Sequence, residues 1–181
     1  MEKTVLYIYG YGSNHKDSST MKVMKSVMED LGYNLVSIQY DQKNPHEGIQ
    51  TLENYIDENN IKYVIGHSLG GFIALCLDNK VNKLLINPCM KPSIELPKIS
   101  DFNKETLKRY KYLETWLYDN SFPSLSFDDL MGLFGDEDEY FSYYKLFKSI
   151  TYKTYYIHSG HRPTNESFDK DIQKKIKEFF N

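Results

Sequence analysis

A single serine stands among glycines near the middle of the chain, in residues 62–75, KYVIGHSLGGFIAL. Ser68 lies between Gly66 and Gly70, after an apolar run that predicts a strand and before one that predicts a helix. Glycine is unfavourable inside regular structure, so this spacing predicts a tight turn. A G-x-S-x-G turn between strand and helix is typical of a nucleophile elbow, which raises a serine hydroxyl above a sheet. Ser68 is therefore the candidate nucleophile, and the alternative is a glycine-rich turn without chemistry.

Acids and histidines suited to activate a serine follow later in the chain. A serine hydroxyl needs a base, usually a histidine oriented by a carboxylate, and elbow-containing folds carry them in the order Ser, Asp or Glu, His. Acids follow an apolar run in residues 130–140, LMGLFGDEDEY, and histidines follow the next in residues 155–164, YYIHSGHRPT. We predict Asp138 as the acid, with Asp136 as the close alternative. We predict His161 as the base, with His158 as its alternative.

Backbone donors are also required, because the oxyanion that develops on the substrate needs fixed hydrogen bonds. One predicted donor is the N–H of Leu69, directly after the nucleophile. The other is the N–H of Tyr11, in residues 7–14, YIYGYGSN, where Gly10 and Gly12 let the loop fold over the site. The alternative for this loop is a plain glycine turn. The segment lacks the third glycine of a dinucleotide-binding motif and the Lys-Ser/Thr of a P-loop, so it does not predict a nucleotide site.

The elements that must position these residues follow an alternating pattern. Short apolar runs rich in β-formers alternate with helical patterns, and six of them predict strands at residues 5–9, 35–40, 63–65, 84–86, 130–134 and 152–157. Strands that alternate with helices predict an α/β fold, a doubly wound and mostly parallel sheet with helices on both faces. The loops at the carboxyl ends of its strands would then share one edge, which brings the candidate residues together.

One stretch breaks this alternation. Residues 91–127 are irregular around one helical pattern, which predicts a small helical cap on a single domain spanning residues 1–181. Within the cap, Tyr112, Trp116 and Phe122 are candidate walls of an acyl pocket. The alternative for these aromatic side chains is ordinary filling of the core.

Composition narrows the classes of partner and cofactor. The net charge is −3 and no basic stripe stands out, so we do not expect a nucleic-acid partner. The apolar runs are too short for a signal peptide or a membrane span. Cys76 and Cys89 suggest neither a disulfide framework nor a zinc site. We predict buried free thiols, no metal, no cofactor and a cytoplasmic location, and the oligomeric state stays open.

The chain resembles the α/β-hydrolase superfamily and, more narrowly, the small YqiA/YcfP-like esterases. The resemblance runs over nearly the whole chain and rests on the segments YIYGYGSNHKDSS, IGHSLGGFIA, LLINPCMKP, GDEDE and SGHR. It implies a single-domain serine hydrolase that acts on carboxylic esters or acyl thioesters without a metal. The chain departs from the family in having Tyr9-Gly10 where His-Gly is usual, and Ser159-Gly160-His161 where Gly-Gly-x-His is usual.

The resulting hypothesis is a serine hydrolase of small-molecule acyl esters or thioesters that works through an acyl-enzyme. An acyltransferase on the same fold is the first alternative. A catalytically inactive binding protein of the same fold is the second, and the complete Ser-Asp-His order argues against it. A metal hydrolase built from His158, His161 and nearby acids is a more distant third.

Overall fold

A six-stranded parallel sheet forms the centre of the computed structural model, which describes residues 3–78, 81–121 and 127–181. The strand order is β2-β1-β3-β4-β5-β6, and every neighbouring pair is parallel. The strands are β1 Lys3–Ile8, β2 Tyr33–Val36, β3 Tyr63–His67, β4 Asn82–Ile86, β5 Leu130–Gly135 and β6 Thr154–Ile157. The parallel sheet predicted from the sequence is therefore confirmed.

Helices follow the strands and cover both faces of the sheet. They are α1 Ser19–Asp30, α2 Pro45–Glu58, α3 Leu69–Leu75, α4 Pro92–Glu95, α5 Lys104–Trp116, α6 Tyr144–Lys148 and α7 Lys170–Phe179. The strand order reverses direction at β1. Because crossovers between parallel strands are right-handed, α1, which joins β1 to β2, and α2, which joins β2 to β3, lie on opposite faces.

Local sequence explains where the longer helices begin. The side chain of Ser18 accepts a hydrogen bond from the Met21 N–H at the start of α1, and Asp169 does the same for Ile172 at the start of α7. Such caps satisfy backbone donors that the first turn of a helix leaves free. The apolar side chains that recur along one face of α7 are buried, through Ile172, Ile176 and Phe179.

The strands at the centre are buried on both sides. Val5, Leu6, Tyr7 and Ile8 of β1 have no exposed surface. A continuous apolar run of this kind is typical of parallel strands covered by helices on each face. The core therefore lies on both faces of the sheet, and the edge at the carboxyl ends of the strands is left for other residues.

The second strand ends earlier than the apolar pattern predicts. It stops at Val36, whereas the pattern runs to Tyr40. Beyond Val36, side chains take the place of the strand ladder: the Ser37 hydroxyl donates to the Tyr7 carbonyl at 2.8 Å, and the Tyr40 hydroxyl donates to the Tyr9 carbonyl at 2.6 Å. The apolar pattern therefore predicted a strand in this region but not the residue at which its ladder of backbone hydrogen bonds ends.

The segment predicted as a cap holds α4, a 3₁₀ turn at Leu96–Lys98, α5 and a π-helical turn at Leu117–Ser121. A buried carboxylate joins the two helices, since Glu114 of α5 accepts hydrogen bonds from the Ser93 N–H and the Ser93 hydroxyl at 2.6 and 2.8 Å. The residues between the 3₁₀ turn and α5 reach the edge of the sheet where Ser68 lies. The cap and the single domain stay predictions.

Candidate active site

Ser68 occupies a strained turn between β3 and α3. Its backbone has φ 56° and ψ −121°, a conformation that non-glycine residues rarely adopt and that is found at nucleophile elbows. Hydrogen bonds to β4 and to the loop after it hold the turn. The Ser68 N–H donates to the Ile86 carbonyl at 3.0 Å, and the Ser68 carbonyl accepts from the Cys89 N–H at 2.9 Å. The turn is therefore built into the sheet rather than suspended above it.

The flanking glycines are required by close backbone contacts. A Cβ atom at Gly66 would lie 2.6 Å from the Gly70 carbonyl oxygen, and one at Gly70 would collide with the Ile8 carbonyl of β1. Helix α3 thus begins directly against the neighbouring strand. Any side chain at these two positions would push the turn and its serine away from the sheet.

Ser68, His161 and Asp138 form a hydrogen-bonded chain. The Ser68 Oγ lies 2.9 Å from the His161 Nε2, and the His161 Nδ1 lies 2.9 Å from the Asp138 Oδ2. A carboxylate only accepts hydrogen bonds, so it assigns the proton to Nδ1 and leaves the Nε2 lone pair for the serine hydroxyl. The structure brings together the three residues that the sequence predicted as nucleophile, base and acid, and their catalytic roles remain predictions.

The two aspartates of the acidic loop occupy different environments. The Asp138 side chain is 1% exposed, and its other oxygen accepts the Tyr140 and Phe141 N–H groups at 2.9 and 3.2 Å. Asp136 instead binds the exposed His158 Nδ1 at 3.1 Å and the Ser159 N–H at 3.1 Å. The geometry therefore places Asp138 with His161, and Asp136 with His158.

The His158–Asp136 pair is an ordinary surface ion pair. Its hydrogen bond lowers the pKa of Asp136 and raises the pKa of His158. The His158 side chain is 80% exposed, so the pair is solvated and contributes little to stability. In the part of the chain that the structure describes, His158 forms no hydrogen bond with Ser68.

Two buried side chains hold the loop that carries His161. The His161 carbonyl accepts hydrogen bonds from the Asn87 Nδ2 at 3.0 Å and from the His67 Nε2 at 2.9 Å. The His161 N–H donates to the Glu139 carboxylate at 2.8 Å. The backbone on both sides of the imidazole is therefore fixed by groups from β3, β4 and the acidic loop.

Asn87 connects two strands to this loop, and the sequence reading missed its role. It sits directly after β4 with φ 44°, is 2% exposed, and its Oδ1 accepts the Gly135 N–H of β5 at 2.7 Å. Its Nδ2 also donates to the Gly160 carbonyl at 3.2 Å. The Asn-Pro dipeptide predicted only the end of a strand, and asparagine's tolerance of a positive φ was the one local signal available.

His67 is fixed as a neutral donor. Burial lowers its pKa to about 3, with the charge of nearby His161 adding to the effect. A neutral ring that binds a carbonyl must carry its proton on that nitrogen, so the His67 Nε2–H donates to the His161 carbonyl. The residue before Ser68 therefore supports the loop that carries His161.

The backbone around the predicted oxyanion donors is arranged to leave them free. Leu69 is the first residue of α3, and Tyr11 lies in a turn closed by the Ser13 N–H on the Gly10 carbonyl, with Gly12 at φ 75°. Within the described residues, neither the Leu69 N–H nor the Tyr11 N–H donates a hydrogen bond. Gly10 packs against the elbow, where a Cβ would lie 2.9 Å from the Ser68 Cβ. The Tyr11 loop thus lies beside the serine.

Ser68 opens into a cleft of about 230 Å³. Its lining residues are Gly10, Tyr11, Gly12, Ser13, His67, Ser68, Ile99, Ser100, Tyr140, Phe141, His161 and Arg162. The Tyr140 and Phe141 rings meet the His161 ring edge-on, with ring centres 4.9 and 5.0 Å apart. These aromatic walls come from the loop that carries Asp138, for which the sequence predicts a role only for the carboxylates.

The aromatic side chains predicted as pocket walls lie elsewhere. Tyr112 and Trp116 of α5 border a different cleft, next to α2, where the Tyr112 ring lies 5.6 Å from the His46 ring. The structure therefore does not bring these two residues to Ser68, because α5 turns this face toward α2. Phe122 lies outside the described residues.

Other reactive groups are set apart from this cleft. Burial raises the pKa of the Cys76 and Cys89 thiols, which keeps both protonated. Within residues 3–78, 81–121 and 127–181, no three His, Cys, Asp or Glu side chains converge in a way that could hold a metal ion. Across the same residues, none of the helices is long and apolar enough to cross a membrane.

Crystal structures with similar folds cover nearly all of the chain. A protein from Agrobacterium vitis S4 superposes with a TM-score of 0.70 at 14% identity, over 99% of this chain and 88% of its own. An esterase from Exiguobacterium antarcticum gives 0.61 at 13% identity, over 98% and 90% of the two chains. An esterase from Pyrococcus furiosus gives 0.62 at 16% identity, over 99% and 81%. These similarities confirm the α/β-hydrolase fold.

The comparison with protein families gives one match over almost the full length. The profile of the uncharacterised protein family UPF0227 matches residues 4–179. This match confirms the family resemblance predicted from the sequence. No curated protein matches the chain.

Proposed function

This chain belongs to the uncharacterised protein family UPF0227, and we propose that it is a serine hydrolase that cleaves carboxylic esters or acyl thioesters. The observation that carries the proposal is the hydrogen-bonded chain Ser68–His161–Asp138, with both distances at 2.9 Å. The esterases with similar folds support the same class of reaction.

The geometry supports acylation in which His161 carries one proton from Ser68 to the leaving group. The His161 Nε2 takes the Ser68 proton as Oγ attacks the carbonyl carbon of the substrate, and the oxyanion forms against the N–H groups of Leu69 and Tyr11. The bond to the leaving oxygen or sulfur then breaks as His161 returns the proton to it. The product of this half-reaction is an ester of Ser68.

Deacylation repeats the step with water. His161 takes a proton from water as its oxygen attacks the acyl-enzyme, and the proton passes to Ser68 Oγ as the acid leaves. Throughout, the Asp138 carboxylate accepts the Nδ1–H and stabilises the imidazolium. An alcohol or amine in place of water would give acyl transfer, and product analysis separates the two outcomes.

A fluorophosphonate probe tests the nucleophile directly. We expect covalent labelling of Ser68, located by peptide mass spectrometry, together with turnover of p-nitrophenyl and acyl-thioester substrates. Ser68→Ala should lose labelling and all but a trace of turnover, a fall of several orders of magnitude. Ser149→Ala is the matched control, since Ser149 is exposed on the loop after α6.

Two results would overturn this proposal. A Ser68→Ala protein that folds normally and keeps a tenth of the turnover would show that another group is the nucleophile. A wild-type protein that neither labels nor cleaves any ester or thioester would favour the inactive binding protein of the same fold.

A further inference from the structure

The cleft at Ser68 carries a positive charge at its rim. Among its described lining residues, Arg162 is the one with a permanent charge, and no aspartate or glutamate is among them. The lining of this cleft therefore has a positive charge from Arg162, whereas the chain as a whole has a net charge of −3.

Arg162 is exposed and is not engaged by an acid. Two acids of the neighbouring loop are held by His161 and its surroundings: Asp138 binds the His161 side chain and two backbone N–H groups, and Glu139 binds the His161 N–H. The other arginine of the chain, Arg109, has an ion-pair partner in Glu105 at 3.7 Å. Within the described residues no ion pair is formed by Arg162.

The position of Arg162 next to the base is fixed by its neighbours. His161 and Pro163 are both buried, while Arg162 between them is exposed. A following proline restricts the backbone of Arg162 to extended conformations, so the chain cannot curl away from the cleft here. The charge of Arg162 is also felt inside the site, where it adds to the lowering of the pKa of His67 after burial and His161.

Further cations border the neighbouring space. A cleft of about 680 Å³ shares Tyr11 and Ser13 with that of Ser68 and is lined by Lys16 and Lys43. One acid, Asp41, lies there, and its Oδ1 accepts the Lys43 N–H at 2.7 Å. Among the residues that line these two clefts, Lys16, Lys43 and Arg162 therefore outnumber the one acid, Asp41.

We propose that the substrate of Ser68 is an ester or thioester that carries an oxyanionic group, a carboxylate or phosphate, bound by Arg162. The inference rests on the proposed hydrolase function. A guanidinium binds both kinds of oxyanion through paired N–H donors, whereas an ammonium offers only a point charge. Because Arg162 is exposed, we expect about a tenfold gain in kcat/KM at low salt rather than a larger one.

The test compares esters matched in acyl length. These are p-nitrophenyl valerate, mono-p-nitrophenyl glutarate with a carboxylate on the acyl side, and the valerate ester of 5-hydroxy-2-nitrobenzoate with a carboxylate on the leaving group. A phosphonate-terminated acyl ester distinguishes phosphate-like from carboxylate recognition. We expect the wild type to prefer at least one anionic ester about tenfold in kcat/KM, and the preference to shrink as salt rises.

Variants assign this preference to the residue. Arg162→Gln should bring the ratio of anionic to neutral kcat/KM close to one, Arg162→Lys should restore part of it, and Arg109→Gln should leave it as in the wild type. A wild type that cleaves the neutral ester at Ser68 and shows no preference overturns this inference alone. If no ester is cleaved and Ser68 is not labelled, the proposed function fails and this inference fails with it.

Discussion

Replacing Asp138 by asparagine tests the hydrogen-bonded chain at its most buried member. The Asp138 Oδ1 accepts two backbone N–H groups, so the amide oxygen of the substituted residue must take that position. The amide NH₂ then faces the His161 Nδ1 and donates to it. The imidazole must carry its proton on Nε2, where it cannot accept the proton of Ser68.

The expected loss of kcat is large because the asparagine amide fixes the His161 imidazole in the tautomer that cannot accept a proton from Ser68. Comparable tautomer errors in serine hydrolases cost about 10⁴-fold in kcat, which corresponds to about 5 kcal/mol of transition-state stabilisation. Asp136→Asn is the matched control, because Asp136 lies two residues away and binds the exposed His158. Its kcat should stay within about threefold of the wild type.

The assay is steady-state hydrolysis of p-nitrophenyl valerate at pH 7.5, with thermal unfolding followed by circular dichroism to show that both variants fold. The reasoning would be refuted by a reversed ranking of the two variants. It would also be refuted by an Asp138→Asn protein that keeps a tenth of the wild-type kcat, since the carboxylate would then not set the tautomer of His161.

Three further substitutions probe the support of the site and the core. Asn87→Gly keeps the positive φ but removes three hydrogen bonds, so the melting temperature should fall. We also expect kcat to drop at least tenfold with KM little changed, because the loop of His161 would lose its support. An unaltered kcat would mean that this loop keeps its position without the Asn87 side chain. Gly70→Ala places a Cβ against the Ile8 carbonyl, so the free energy of unfolding measured in urea should fall by more than about 3 kcal/mol. A stable, active variant would contradict the close packing of α3 on β1. Burial lowers the pKa of Lys83 from 10.5 to about 8, so the folded state binds fewer protons than the unfolded state between these values, and its stability rises with pH there. Lys83→Met should therefore unfold at a higher temperature than the wild type at pH 7, and the difference should narrow between pH 8 and 10.5; a constant difference would show that Lys83 is not the group that titrates.

The sequence predicted the parallel sheet and the three residues of the hydrogen-bonded chain, Ser68, His161 and Asp138. Apolar runs locate strands well when both faces are buried, as in β1, because burial leaves a continuous signal. Ser68, Asp138 and His161 could be chosen because each follows such a run, and parallel strands must present those loops on one edge. The choice of Asp138 over Asp136 rested on reach alone, and the structure supplies the hydrogen bond that distinguishes them.

The parts that escaped prediction depend on how elements pack. Tyr112 and Trp116 lie on a helix whose rotation is set by α2, and no local pattern reports that rotation. Asn87 acts through carbonyls 73 and 74 residues further along the chain, so its role exists only once β4, β5 and the His161 loop are assembled. Tyr140 and Phe141 were not predicted as cleft residues, because the acids directly before them offered the stronger chemical signal, although aromatic residues often line clefts.

The hydrogen bond between Ser68 and His161 depends on the last strand of the sheet to be synthesised. Ser68 follows β3, whereas its base follows β6, 93 residues later, and β4 and β5 lie between them in the sheet. Closing such a long stretch of chain is slow compared with forming helices, so these contacts belong to the late events of folding. A chain emerging from the ribosome would hold its serine and its turn long before it holds the histidine. If the proposed hydrolase function holds, the growing polypeptide gains an activated hydroxyl only when β6 has joined the sheet.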